Sequence, residues 1–114
     1  MRIAVSVNDQ VISDHFGLCE NYMVLDVEDG KIVGEELHKN PGHAPGVTPP
    51  SFVAGLHVAA ALGGTVAQGA VDVMKNAGVD VVLGVSGDPR QAALDYASGK
   101  LKHDPEFIKS CGGC

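Results

Sequence analysis

Four places in the sequence hold side chains able to ligate a metal or an anion. The first is Ser13-Asp14-His15-Phe16-Gly17, with Cys19 just beyond, in a polar, turn-rich stretch. His15 offers an imidazole nitrogen and Cys19 a thiolate, both good ligands for soft or borderline metals. Phe16 would shield one side of such a site from water. An ordinary loop accounts for the same residues, with Asp14 in a turn, His15 solvated and Phe16 anchoring the loop to the core. The second place is the run with His38, Asn40 and His43, interleaved with Pro and Gly. Histidines spaced this way in a loop have no fixed geometry, so a plain connector explains them as well. The third is Gly63-Gly64-Thr65, between a strand pattern and a helix pattern. Backbone N–H groups and the helix dipole there favour an anion, and the glycines permit close approach. No Lys follows, so this is not a P-loop, and a capped helix start explains it equally. The fourth is Cys111-Gly112-Gly113-Cys114. That spacing lets both thiolates reach one metal or close one disulfide. A zinc ribbon needs a second such pair, and a thioredoxin motif opens a helix after a strand. The tail therefore either adds ligands to a site elsewhere or is simply solvated.

Composition narrows the classes. A chain of 114 residues fits one domain, and 45% hydrophobic residues give it a real core. Aromatics are 4% and Trp is absent, so that core must be aliphatic. A net charge of −6 argues against nucleic acid and against an anionic membrane surface. No apolar run is long enough to span a bilayer. The opening residues enter a strand pattern directly and lack a signal-peptide layout. The expected location is the cytoplasm, where Cys19, Cys111 and Cys114 stay as thiols. GxSxG and HExxH are both missing, so no hydrolase of those kinds is expected.

The elements that must position these residues follow from pattern. Arg2–Val7 reads as a β-branched first strand and Asn8–Gly17 as a loop. Tyr22–Val27 and Ile32–His38 read as antiparallel strands joined at Asp29-Gly30, a strong hairpin signal. Lys39–Pro50 is a long Pro- and Gly-rich loop, with a short helix expected over Pro50–Gly55. Leu56–Leu62 and Val79–Val85 read as buried strands. Between them Thr65 looks like an N-cap with Gln68 as its capping-box partner. Val66, Ala70, Val73, Met74 and Ala77 fall at helical spacing, and Gly78 suits the position past the end. Asp88, Pro89 and Gln91 open a last helix that runs to about Ser98, with Gly99 ending it. The fold class is α/β, a mixed sheet of about five strands with flanking helices. The domain is expected over 1–102, with 103–114 as a flexible tail carrying the CxxC.

Such a sheet can resemble the ribonuclease H architecture, but nucleases of that kind need clustered carboxylates for two metal ions. Here the first strand has none, so nuclease activity is rejected. Taken in order, MRIAVSV, SDHFG, the DG hairpin ending in HKNPGH, PPSFVAG, AALGGTVAQGA and VDVVLGVSGDPRQAALDYASGKL resemble the dinitrogenase iron–molybdenum cofactor biosynthesis family. The match covers nearly the whole chain. The resemblance implies a ribonuclease H-like fold and binding of metal–sulfur clusters in nitrogenase cofactor assembly. The family includes many small stand-alone proteins of anaerobes. One branch, the orange proteins, carries a mixed molybdenum–copper sulfide cluster, and this chain is similar to that branch in size.

The expected function is therefore to bind or carry a metal–sulfur cluster, or its Mo–Cu or Fe–Mo precursor, without enzymatic turnover. Asp14, His15, Phe16, Gly17, Asn40, His43, Gly63, Gly64 and Thr65 are the candidate binding residues. His15, Cys19, His43, Cys111 and Cys114 are the candidate metal ligands. Proteins that donate and accept the cluster are the expected partners. Two other classes stay open: a thiol redox protein using Cys111 and Cys114, and a metal-free module for a small anion or a partner protein.

Overall fold

The computed structural model describes residues 1–9, 11–13, 15–16, 19–40, 49–100 and 108–109. Asp14, Gly17, His43, Cys111 and Cys114 lie outside the described residues, and so does most of the segment read as a tail.

Strand β1 (Arg2–Asn8) is the centre of the molecule. Ile3, Ala4, Val5 and Ser6 are fully buried, as a strand covered on both faces requires. One edge of β1 pairs antiparallel with β3 (Asn21–Glu28), Ser6 lying opposite Tyr22. Asp29 and Gly30, both at positive φ, turn β3 into the antiparallel strand β4 (Lys31–Lys39). The other edge of β1 is shared. The two-residue β2 (Val11–Ile12) folds back on Val7 and Asn8, and β5 (Ala60–Leu62) runs parallel to Ile3–Val5. Strand β7 (Asp80–Val82) is parallel to β5 in turn. The resulting mixed sheet has six strands, in the order β4-β3-β1-β5-β7 with β2 beside the end of β1. A separate parallel pair joins β6 (Val66–Ala67) to β8 (Ile108–Lys109), the latter within the segment read as a tail.

Helices cover both faces. Helices α1 (Pro49–Ala54) and α2 (Gln68–Asn76) place Val53, Val71 and Met74 against Ala4, Tyr22, Val24 and Ala61. Helix α3 (Pro89–Ala97) places Ala92 and Ala93 against Ile3, Val5, Leu25 and Leu62. Its start follows the sequence signal: Pro89 sits in the first turn and Asp88 Oδ1 accepts the Arg90 N–H at 3.0 Å.

Several expectations are corrected. The strand expected over Leu56–Leu62 is confined to Ala60–Leu62, because His57 adopts φ 57° in a turn. The strand expected over Val79–Val85 is paired only over Asp80–Val82, beyond which Gly84 and Val85 donate to Gly64 and Gly63. The helix expected to be capped by Thr65 starts at Gln68, because Thr65 is drawn into a parallel bridge with His15 and Val66–Ala67 into β6. The face of α2 turns accordingly: Val71 and Met74 are buried, while Val73 is 42% exposed. Part of the loop expected over Asn8–Gly17 is strand β2.

Gly63 shows how tightly the chain closes here. A Cβ at this position would lie 2.8 Å from Ser6 Oγ and 3.1 Å from Phe16 Cδ2. Ser6 Oγ is itself buried, with no hydrogen-bond partner among the described residues. Gly63→Ala is expected to destabilise the protein by about 1–3 kcal/mol, the usual cost of overpacking. Ser6→Ala removes an unpaired hydroxyl and is expected to be neutral or slightly stabilising. Urea unfolding of both single variants and the double variant checks this. The double variant should recover part of the Gly63→Ala loss; strict additivity would show that Ser6 is not the obstructing neighbour.

Candidate functional site

Because β1, β5 and β7 are parallel, the loops that leave them emerge at one end of the sheet. Backbone hydrogen bonds lace those loops together. Gly63 N–H donates to Val82 O at 3.1 Å, Gly64 N–H to Ser13 O at 3.2 Å and Ile12 N–H to Gly87 O at 2.9 Å. The expectation that the Gly63 and Gly64 N–H groups serve an anion is therefore corrected: one is spent on the last carbonyl of β7 and the other on the Ser13 loop. The glycines are used for close approach instead.

The loop carrying His15 is held from three sides. Ser13 Oγ accepts the His15 N–H at 3.1 Å and donates to the His15 carbonyl at 3.0 Å. Asn8 Nδ2 donates to the same Ser13 oxygen at 3.2 Å. Phe16 N–H donates to Thr65 O at 2.9 Å. With its backbone so fixed, His15 presents an exposed side chain beside the nearly buried Thr65. Phe16 points the other way. It is 1% exposed, packs at a tilt on Tyr22 with ring centroids 5.1 Å apart, and its carbonyl accepts the Tyr22 hydroxyl at 2.7 Å. Its role is to anchor the loop.

Cys19 also faces inward. It packs in the same core cluster as Phe16 and Tyr22. Burial pushes its thiol up, against hydrogen bonds from its surroundings that pull the other way. Tyr22 is raised as well, first by burial and then by its closeness to Cys19. Asn40 closes the end of β4 over this pair: its N–H donates to Glu20 O at 3.0 Å and its Nδ2 to Cys19 O at 2.9 Å. His38, opposite Tyr22 across the strands, meets Phe52 of α1 edge-on with centroids 6.1 Å apart.

The structure thus joins His15, Phe16, Gly63, Gly64 and Thr65 in one bonded unit. It joins Cys19 and Asn40 in a second, with Tyr22 between the two. Pattern gave no sign of Tyr22, Phe52 or Ser6 as partners, since their contacts depend on strand pairing and helix docking. Among the described residues no three His, Cys, Asp or Glu side chains gather closely enough to hold a metal ion. Two shallow clefts, of about 230 and 320 Å³, are lined by other residues: one by Gly84, Ser86, Asp88 and Asp95, the other by Val7, Met23, Glu35 and Leu37. No helix among the described residues is long and apolar enough to cross a membrane.

Cys19 and Tyr22 stay protonated in the fold and ionise more readily once unfolded. Their folded values lie above the unfolded ones. The stability they contribute is thus complete below about pH 8.5, the ordinary thiol value, and declines as pH rises beyond it. Melting temperature against pH should fall on the alkaline side, and less steeply in Cys19→Ala once its lower baseline is subtracted. Native Cys19 should also react with thiolate reagents only as fast as the fold opens; rapid labelling at pH 8 would contradict its burial.

Comparison with known proteins agrees with this architecture. Residues 1–99 match the family model described as dinitrogenase iron-molybdenum cofactor. The uncharacterized protein MJ0580 of Methanocaldococcus jannaschii is 29% identical over 106 residues, which is 90% of each chain. The crystal structure of PH0822 is similar with a TM-score of 0.80 and 25% identity, over 94% of this chain and 97% of that one. The apo form of the orange protein from Desulfovibrio gigas shares the fold, with a TM-score of 0.76 and 21% identity over 91% of this chain and 92% of that one. Sheet order, loop convergence and a family match over nearly the whole body of the domain lead to one assignment: the chain belongs to the dinitrogenase iron-molybdenum cofactor family.

Proposed function

We propose that this protein is a carrier, not an enzyme, for an anionic metal–sulfur cluster or its precursor, of molybdenum-containing Mo–Cu or Fe–Mo type. The cargo would dock at the C-terminal end of the parallel strands, against His15, Thr65 and the start of α2. One observation carries this reading: the His15 loop and the diglycine loop are hydrogen-bonded into a single platform, with the imidazole exposed on it.

The chemistry of the platform suits a preassembled anion better than a bare ion. A bare zinc or copper ion asks for three or four protein ligands, and the described residues offer no such set. A sulfide cluster already satisfies its metals and needs one borderline ligand and a few N–H donors. Helix α2 begins three residues after Thr65, and its first turn holds no acidic residue. The residue before it is Ala67, a type that cannot cap. Its positive dipole end is thus less neutralised than that of α3, where Asp88 already occupies the start. Asn40 and His38 stand where chain 41–48 leaves β4, at the same end of the sheet. Loading and release then require proteins that donate and accept the cluster, which is the work of a carrier in cofactor assembly.

Gly69 gives a test that separates binding from folding. A Cβ there would meet nothing within 4 Å, and Gly69 lies in the first turn of α2. Gly69→Asp should raise stability by about 0.5–1.5 kcal/mol through helix propensity and the dipole. The same charge should repel an anionic cargo. In anaerobic titrations with tetrathiomolybdate, with and without copper, wild type should develop sulfide-to-metal charge-transfer bands at stoichiometric metal. Gly69→Asp and His15→Ala should each bind at least about tenfold more weakly, equivalent to about 1.4 kcal/mol. Unchanged binding in both variants would sink the proposed location.

A further inference from the structure

Strand β4 ends the sheet order, and among the described residues it pairs with β3 alone. Open edges are normally blunted by charge, bulges or a covering element. A register shift does interrupt the ladder near Val33. Beyond it, Glu35-Glu36-Leu37-His38-Lys39 runs in unbroken register with β3, and Leu37 is 60% exposed. Leu37 thus stands exposed in the middle of an edge that is open among the described residues.

We propose that this segment pairs antiparallel with its own copy in a second chain, about a two-fold axis through Leu37, to form a symmetric dimer with one continuous sheet. The sequence of the edge is self-complementary in that register. Glu35 faces the partner's Lys39, Glu36 faces the partner's His38, and Leu37 faces the partner's Leu37. Opposite charges directly across a strand pair, as at Glu35 and Lys39, attract, and like charges repel; His38, whose Nε2 lies 3.4 Å from Glu36 Oε2 of its own chain, counts as a hydrogen-bonding group. Neighbouring registers that keep the α3 faces on one side lose this match. Centring on Glu36 or Glu35 sets identical carboxylates against each other. Centring on His38 sets Leu37 against the partner's Lys39. Both carboxylates are also held in place. Arg90 Nε donates to Glu35 Oε2 at 3.0 Å, and Arg2 Nη2 donates to Glu36 Oε2 at 2.9 Å. On the α3 face, Leu37 borders the cleft of about 320 Å³, which Asp9, Glu20, Asn21 and Glu35 line above the buried Val7 and Met23. The isologous contact is closed, so it yields a dimer and not a fibre. It lies two strands away from β1 and leaves His15 accessible. The inference stands apart from the cargo reading.

Sedimentation equilibrium on the full chain tests it, with circular dichroism confirming that each variant is folded. Wild type should show a monomer–dimer equilibrium between about 1 μM and 1 mM, weakening at high salt. Lys39→Glu places Glu35 against a carboxylate, and Glu35→Lys places Lys39 against an ammonium. Each variant alone should associate at least about tenfold more weakly than wild type. An equimolar mixture of the two should recover dimers, since each chain then meets its opposite charge. A wild type that stays monomeric up to about 1 mM overturns the proposal. So does a mixture no more associated than its components.

Discussion

The arrangement depends on one close approach, that of Gly63 to Ser6 and Phe16. Without a side chain at 63, the chain leaving β5 lies flat against the end of β1 and against the Phe16 ring. Only from that position do Gly64 and Thr65 reach the backbone of Ser13 and Phe16. The His15–Thr65 bridge follows, and so does the displacement of the α2 start to Gln68. A methyl group would separate the two loops and leave the carbonyls of Ser13 and Thr65 searching for partners. Unpaired buried polar groups cost about 1–3 kcal/mol each, so the site and the fold are secured by the same bonds.

The division of labour among neighbouring residues is physical. Phe16 buries an aromatic ring, contributing roughly 2–3 kcal/mol of burial, and so ties down a loop that otherwise has little apolar surface. Tyr22 completes the attachment by donating to the Phe16 carbonyl from the second layer. Cys19, between them and Asn40, has become a packing residue whose thiol is kept neutral by burial. With these three inside, His15 is left as the outward group on a backbone held by hydrogen bonds to Ser13 and Thr65. A side chain on such a support is preorganised, and a single imidazole would hold the proposed cargo less tightly than a closed set of thiolates.

Charge at first sight opposes an anionic cargo, since the chain carries a net −6. Screening limits that objection. At physiological ionic strength charges act over about 8 Å, so the nearest groups decide the local field. Glu35 and Glu36 belong to the outer strand, where Arg90 and Arg2 already neutralise them in part. The start of α2 brings no carboxylate of its own in the first turn.

By itself the sequence determined the elements whose cause is local. Alternating and β-branched runs gave β1, β3 and β4; Asp29-Gly30 gave the hairpin; Asp88-Pro89 and Gly99 gave both ends of α3. Each rests on a propensity that acts within a few residues. The sequence also marked SDHFG and the diglycine as places of interest, and showed its likeness to a cofactor family. Tertiary structure decided the rest, because the forces involved join residues far apart in the chain. Thr65 has the chemistry of a helix cap, but pairing with His15 outweighs a cap worth about 1 kcal/mol. Gly63 and Gly64 have the flexibility of an anion nest, yet neighbouring carbonyls consume their N–H groups. Cys19 has the chemistry of a ligand, but docking against Phe16 and Tyr22 buries it. Which face a side chain takes, and whether a donor is already spent, are settled only when strands pair and helices dock.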